Sequence, residues 1–439
     1  METFKKIAFR SMFALLAFTI MPLYGGAAAK YYPSIEIIGE TNRSALSYKS
    51  GEKMVFSFKL NDTKTIPEQC FLRYTRRGDD GKTFRGKAPA AQGLTVTTSL
   101  KKPGFVYVEV TLTDANGKPL LRSTKRNSRI AYFAGAAVEP EKLSDCGEPA
   151  DFDAFWAKQK QRLAAVPFLK ETKCKLVRTV PTGKVYELTI PCAGPRPATG
   201  YLIVPNNAKE KSLAARIDFY GYGASAQRIP SMVVPGHLVL KLNAHGQKLG
   251  QTPEYYKEFF ASIKSGKYNY AFDPEQNKDP ENCFFNGMVM RALRAMEYLK
   301  SRPEWNGKDL IASGGSQGGL QTMWAAALDP DVTLATPSIT WCCDMAGTAK
   351  AKRLHGGWRI QYVPQLDYYD PVFMAKRIKN AEVNITRAGL GDYTCPPSGL
   401  AICYRNLATA KKSIRWVQGS DHGFIPSKSE VVVWKNEKK

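Results

Sequence analysis

The chemistry in this chain centres on Ser316. It lies in the stretch Asp309–Trp324, D-L-I-A-S-G-G-S-Q-G-G-L-Q-T-M-W. A short apolar run meets two glycines, a serine and two more glycines, and a helix-like segment follows. Gly314-x-Ser316-x-Gly318 suits a nucleophilic hydroxyl held in a strained strand-to-helix turn, with its oxygen clear of the sheet. Large side chains two residues before or after the serine would collide with the strand or the helix, so glycine is needed there. A serine hydroxyl is a poor nucleophile unless a base takes its proton. The candidate bases are four histidines, His237, His245, His355 and His422. An elbow of this kind is followed in the chain by an acid and then by the histidine. His237 and His245 precede Ser316. His355 sits in L-H-G-G-W with no acid-bearing strand before it. His422, in the Gly-bounded loop S-D-H-G, satisfies the order. The acid that orients the imidazole is Asp392, which closes the run I-T-R-A-G-L-G-D. Asp421 adjoins His422, but neighbouring side chains rarely face each other well enough for that hydrogen bond. The developing oxyanion needs two donors: the N–H of Gln317, after the serine, and the N–H of Tyr222, in Gly221-Tyr222-Gly223 after an earlier strand.

These residues need a frame. Asn286–Lys300 carries Val289, Leu293, Met296 and Leu299 at helical spacing, and the break S-R-P-E-W-N-G leads into the strand before Ser316. Strands are expected over Val185–Ile190, Gly200–Val204, Ala215–Tyr220, Leu238–Leu242, Leu334–Thr340, Val383–Leu390 and Ile414–Val417, with helical segments between the later ones. That alternation predicts an α/β fold with a mostly parallel sheet and its chemistry at the C-terminal strand edge, as in α/β-hydrolases. Lys248–Asn282, polar and rich in tyrosine, reads as a surface excursion near that edge. Residues 30–138 read differently. Met54, Phe56, Phe58 and Leu60 alternate with polar partners, as do Val106, Val108, Val110 and Leu112. Asn116-Gly117 gives a hairpin turn. Further short strands are expected at Ile35–Ile38, Phe71–Thr75, Leu94–Thr98 and Ile130–Phe133, which together suggest a small immunoglobulin-like β-sandwich acting as a spacer or packing module. A linker, 139–150, joins it to a hydrolase domain over 151–439. That domain opens with an amphipathic helix at D-F-D-A-F-W, which Asp151 or Asp153 can cap.

Lys5, Lys6 and Arg10 precede an apolar run, Met12–Leu23, and Ala27-Ala28-Ala29 offers a small-residue cleavage site. Residues 1–29 therefore read as a signal peptide, and the protein as exported to the periplasm or medium, with no transmembrane segment after its removal. The formal net charge is +24. Excess positive charge on an exported protein suits an acidic polysaccharide or an anionic envelope surface. The lysines are dispersed and no nucleic-acid motif is present, so nucleic acid is not expected as a partner. The nine cysteines form no C-x-x-C or Cys/His cluster, and their odd number leaves at least one unpaired within the chain. Cys342-Cys343 reads as two buried small apolar residues rather than a bridge.

Over Asp151–Ile425 the chain resembles the acetyl xylan esterase/cephalosporin C deacetylase family, carbohydrate esterase family seven. The resemblance rests on D-F-D-A-F-W, G-Y-G at Tyr222, H-G-Q at His245–Gln247 and R-A-L-R-A-M-E-Y-L-K-S-R-P-E-W. It continues in G-G-S-Q-G-G at Ser316, A-A-L-D-P-D-V, C-C-D at Cys342–Asp344, G-D-Y-T-C-P-P at Asp392 and D-H-G at His422. The family has R-G-Q where this chain has His245-Gly246-Gln247, and H-E or H-G-H-E where it has Asp421-His422-Gly423. The resemblance implies a cofactor-free, metal-free serine esterase that removes acetyl groups from short acetylated sugars and often from cephalosporin C. It implies Ser316, Asp392 and His422 as the triad, Tyr222 and Gln317 as oxyanion donors, and assembly into homo-oligomers. An acetylated oligosaccharide or polysaccharide is the expected substrate. His245, Gln247 and Trp341 are expected around the substrate pocket or behind it, Trp341 as a wall of a small acyl pocket. Two rival readings fit the same chain: another hydrolase of this fold, cleaving peptides or larger esters, and a glycan-binding surface protein without turnover.

Overall fold

The computed structural model describes residues 30–125 and 128–435. The expected signal peptide lies outside the described residues.

Seven strands come first: β1 Ile37–Thr41, β2 Met54–Leu60, β3 Phe71–Gly78, β4 Phe84–Pro89, β5 Leu94–Thr98, β6 Gly104–Thr113 and β7 Ala131–Val138. They form two antiparallel sheets, ordered β1-β2-β5 and β4-β3-β6-β7. This three-plus-four division is that of an immunoglobulin-like sandwich. Period-two patterning explains it. Met54, Phe56, Phe58 and Leu60 on β2 face Val106, Val108, Val110 and Leu112 on β6 as buried side chains of one continuous core. Strand β7 breaks the alternation, because all eight of its residues are buried. Its sequence, A-Y-F-A-G-A-A-V, is small enough for its second face to be covered as well.

Ten more strands make a single sheet: β8 Lys173–Val180, β9 Gly183–Ile190, β10 Ala198–Pro205, β11 Leu213–Phe219, β12 His237–Asn243, β13 Trp305–Gly315, β14 Leu334–Ser338, β15 Glu382–Gly389, β16 Lys412–Val417 and β17 Val431–Lys435. Their order is β17-β16-β15-β14-β13-β11-β12-β10-β9-β8. β12, β11, β13, β14, β15 and β16 pair in parallel, while β10, β9, β8 and β17 add antiparallel edges. The protein is therefore an α/β-hydrolase with small antiparallel sheets ahead of it. Helix α1, Phe152–Ala164, buries Phe152, Phe155, Trp156 and Leu163, the apolar face expected of it. The expected cap is not made. Asp151 occupies the N-cap position without a side-chain cap. Instead, its Oδ1 accepts from the Tyr368 hydroxyl at 2.6 Å, and Asp153 pairs with Arg377 at 2.8 Å. Both carboxylates tie the helix to a distant segment. The excursion after β12 is also more structured than its polarity suggests. It contains α2, Pro253–Ser262, and it buries Tyr270 to 4% exposure. Helices α3, Phe284–Lys300, and α4, Gln317–Leu328, flank β13.

Candidate active site

β13 runs into Ser316, and α4 begins one residue later. Ser316 has φ +57°, a left-handed conformation that a non-glycine residue adopts only when its surroundings enforce it. Backbone bonds enforce it here. The Ser316 N–H donates to Ser338 O at 2.9 Å, and its carbonyl accepts from Trp341 N at 3.1 Å and Leu320 N at 3.0 Å. The neighbouring glycines are sterically required. A Cβ on Gly314 would stand 2.6 Å from the Gly318 backbone, and one on Gly318 would stand 2.4 Å from Phe219 O.

The three residues picked from chain order meet in space. His422 Nδ1 lies 2.8 Å from Asp392 Oδ2, and His422 Nε2 lies 3.1 Å from Ser316 Oγ. Nδ1 faces a carboxylate and so carries the hydrogen. Nε2 is then left as the acceptor for the serine proton. Asp392 is fully buried, and its other oxygen accepts from Thr394 N and Cys395 N, each at 3.0 Å. Burial of a carboxylate is costly unless it is hydrogen-bonded this fully. Asp421 points away from His422. Its Oδ1 accepts from Gly423 N at 2.8 Å and Phe424 N at 2.6 Å, so it folds the histidine loop. Arg387 holds the same loop by donating to His422 O at 2.9 Å. A hydroxyl, an imidazole and a carboxylate in this sequence can move the serine proton to Nε2 as the oxygen attacks a carbonyl.

The two expected oxyanion donors are linked through a residue the sequence did not single out. Tyr270 Oη accepts from Gly223 N at 2.9 Å and donates to Gln317 Oε1 at 2.8 Å. Its ring stacks on Tyr222, with 4.3 Å between centroids. His245 Nε2 donates to Gly223 O at 2.8 Å, so both polar groups of Gly223 are held. Burial, opposed by the bond to Gly223 O and aided by the charges of Arg291 and Arg196, lowers the pKa of His245 from 6.5 to about 4, so the ring is neutral at pH 7. Gln247 Nε2 donates to Ser225 O at 3.0 Å. His245 and Gln247 therefore secure the loop that carries Tyr222. The only sign of Tyr270 in the sequence was the density of tyrosines between β12 and α3.

Trp341 is buried, with its ring edge-on to Tyr222 at 5.3 Å. Tyr222, Phe272, Trp341 and Trp358 form one aromatic wall. A cleft of about 560 Å³ is lined by Tyr222, Gln317, His245 and Met232. A second cleft, of about 600 Å³, is lined by Trp341, His355 and Arg359. Ser316 and His422 line neither cleft. The serine is bonded to His422 and not to His355. The Nδ1 of His355 contacts Gly356 O at 3.0 Å. Cys395 is buried beside the Ser316 hydroxyl, and burial pushes its thiol pKa well above the ordinary range. Among the described residues, Asp392, Cys395 and His422 are also the one group whose carboxylate, thiol and imidazole atoms, within 4.8 Å of one another, could share a metal ion. All nine cysteines are free thiols, and Cys342 and Cys343 are buried as expected.

Known proteins give this arrangement a context. The acetyl esterase Axe7A of Xylanibacter ruminicola is 27% identical over 389 residues, covering 84% of this chain and 83% of that protein. The described fold is shared with an acetyl xylan esterase from Paenibacillus sp. R4 (23% identity, TM-score 0.52, 66% of this chain and 94% of that one). It is shared equally with acetyl xylan esterase 1 from Thermoanaerobacterium sp. JW/SL YS485 (20% identity, TM-score 0.54, the same coverages). Residues 142–438 match the acetyl xylan esterase (AXE1) family, so the chain belongs to that family of esterases.

Proposed function

We propose that this protein is an exported serine esterase that deacetylates xylo-oligosaccharides or related acetylated sugars through an acyl-enzyme. The observation that carries the mechanism is the unbroken chain from Ser316 Oγ to His422 Nε2, 3.1 Å, and from His422 Nδ1 to Asp392, 2.8 Å. Ser316 Oγ attacks the acetyl carbonyl, and His422 Nε2 takes its proton. The tetrahedral oxyanion is stabilised by the N–H groups of Gln317 and Tyr222. His422 then delivers the proton to the departing sugar oxygen, leaving acetyl-Ser316. A water gives its proton to His422, attacks the acetyl group, and acetate departs as Ser316 regains its proton. Asp392 holds the imidazole and stabilises its cationic form throughout. No step calls on a metal or an organic cofactor. Membership of the acetyl xylan esterase family supports an acetylated carbohydrate as substrate. The leader at 1–29 supports export, and the division into a sandwich over 30–138, a linker over 139–150 and an esterase over 151–439 follows the same reading. Homo-oligomeric assembly is part of it as well.

The test is acetate release from acetylated xylo-oligosaccharides by the chain lacking residues 1–29, beside Ser316→Ala. Loss of at least about 10³-fold in kcat for the variant is expected. No release by the parent protein, on these sugars or on small aryl acetates, overturns the proposal.

A further inference from the structure

The sandwich does not merely precede the esterase sheet. Its last strand, β7, is pressed against both loops that carry the acid and the base. Gly419, three residues before His422, forms an antiparallel bridge with Phe133 of β7. The side chain of Gln418, buried to 2% exposure, spans the joint. Its Nε2 donates to Gly135 O at 2.7 Å and its Oε1 accepts from Gly135 N at 2.9 Å. The same Oε1 accepts from Gly419 N at 3.1 Å. One amide thus satisfies both backbone groups of a β7 residue and one of the histidine loop.

The acid loop is seated as closely. A Cβ on Gly391 would stand 2.1 Å from Phe133 O, and one on Gly135 would stand 2.2 Å from Leu390 O. Backbone meets backbone there. The two loops are also bonded to each other, because Gly391 N donates to Ser420 O at 3.0 Å. Further out, the Tyr107 ring of β6 packs on Tyr393 with 4.7 Å between centroids, and Asp79 accepts from Leu354 N at 2.8 Å. Asp392 and His422 therefore stand at the ends of two short segments whose other ends are fixed to the sandwich.

We propose that the sandwich is a working part of the active site, with β7 as the strut that sets the Asp392–His422 distance and Gln418 as the positioning residue that joins strut to loop. This rests on the reading of Ser316, His422 and Asp392 as the triad. The physical reason is stiffness. The residues after β15 and β16 are loops, and loops hold catalytic geometry only when something rigid fixes them. A displacement of about 1 Å at such a distance from the chemistry can cost up to about 10²-fold in rate.

The experiment compares the full mature chain with Gln418→Leu, Gln418→Glu and, as a control in the same sandwich away from β7, Lys87→Ala. Three quantities are read: kcat and KM on 4-nitrophenyl acetate, the rate at which diisopropyl fluorophosphate labels Ser316, and the urea midpoint. Gln418→Leu should lower kcat and the labelling rate together by about 10–100-fold, with KM within about threefold. Gln418→Glu keeps the acceptor for both N–H groups but sets a buried carboxylate oxygen against Gly135 O, so it should fall at least as far as Gln418→Leu. Lys87→Ala should match the parent. Loss of stability with kcat and labelling within twofold of the parent overturns the proposal, since Gln418 would then only glue the two parts together. A fall in KM-dependent efficiency alone overturns it equally. If Gln418→Leu does not fold, the kcat of Gln418→Met, which keeps the length of the side chain without its amide, decides by the same criterion. A parent protein that neither turns over nor labels refutes the triad reading itself, and that outcome is visible before any variant is compared.

Discussion

Replacing Tyr270 by Phe removes one oxygen atom and leaves the aromatic stack on Tyr222 in place. The lost hydroxyl has two partners, Gly223 N at 2.9 Å and Gln317 Oε1 at 2.8 Å. Both stay behind without it. Gln317 is fully buried and its Nε2 already lacks a partner, so its side chain has no ready alternative. A neutral hydrogen bond is worth about 0.5–1.5 kcal/mol net, and stranding a buried polar group costs about 1–3 kcal/mol. Part of this is offset because Tyr270 no longer buries its own hydroxyl. A stability loss of about 1–3 kcal/mol follows, measurable by urea denaturation. The effect on rate has a separate origin. Gly223 keeps its bond from His245 at the carbonyl but loses the one at its N–H. The peptide after Tyr222 gains freedom, and the Tyr222 N–H with it. Removing an oxyanion donor outright costs about 10²–10³ in kcat. Loosening one should cost less, about 10–100-fold, with KM nearly unchanged because the interaction belongs to the transition state. Kinetics on 4-nitrophenyl acetate read this directly. A Tyr270→Phe protein with the expected stability loss and an unaltered kcat would refute the link from Tyr270 to the oxyanion site. A rise in KM alone would place Tyr270 in ground-state binding instead.

Two further outcomes follow from the same geometry. Gly318→Ala puts a Cβ 2.4 Å from Phe219 O, a backbone atom that cannot move cheaply. A loss of about 1–3 kcal/mol is expected, together with lost activity as the Ser316 turn opens. Gly357→Ala, with no atom within 4 Å of the added carbon, should be near neutral, and thermal melts of the pair check both. The other concerns acid. Because burial lowers the pKa of His245 from 6.5 to about 4, the unfolded chain takes up a proton that the folded chain refuses. The contribution of His245 to stability is complete above pH 6.5 and lost as the pH falls through about 4, a change of about 3 kcal/mol. His245→Gln should remove most of that slope when urea midpoints at pH 7.5 and 4.5 are compared. An unchanged slope would assign the acid sensitivity elsewhere.

Much of this molecule is written locally. Gly314, Ser316 and Gly318 declare the turn because their spacing answers a steric demand that any strand-to-helix elbow makes. Period-two patterning in Met54–Leu60 and the helical spacing of Val289, Leu293, Met296 and Leu299 declare which faces are buried. Chain order left His422 and His355 after the serine, and the acid-bearing strand that precedes only His422 decided between them. Asp392 stood out over Asp421 because it closes a strand, whereas Asp421 is the immediate neighbour of His422 and reaches its ring poorly. Tyr270 and Gln418 were not legible in this way. Each acts through hydrogen bonds to residues 47 or more positions away, Tyr270 to Gln317 and Gln418 to Gly135. Nothing in the neighbouring sequence marks a tyrosine or a glutamine as the partner of a distant backbone. The Asp151 cap failed for the same reason, because a partner 217 residues away, Tyr368, took the carboxylate that local propensity assigned to the helix. Strand β7 is the clearest case. Its small residues look unremarkable in sequence, and only the packing of Gly135 and Gly391 backbone on backbone shows why they are small. Sequence determined which residues could do the chemistry, since that depends on side-chain type and local turn geometry. Tertiary structure decided what holds them at 2.8 and 3.1 Å, since that depends on contacts between segments far apart in the chain.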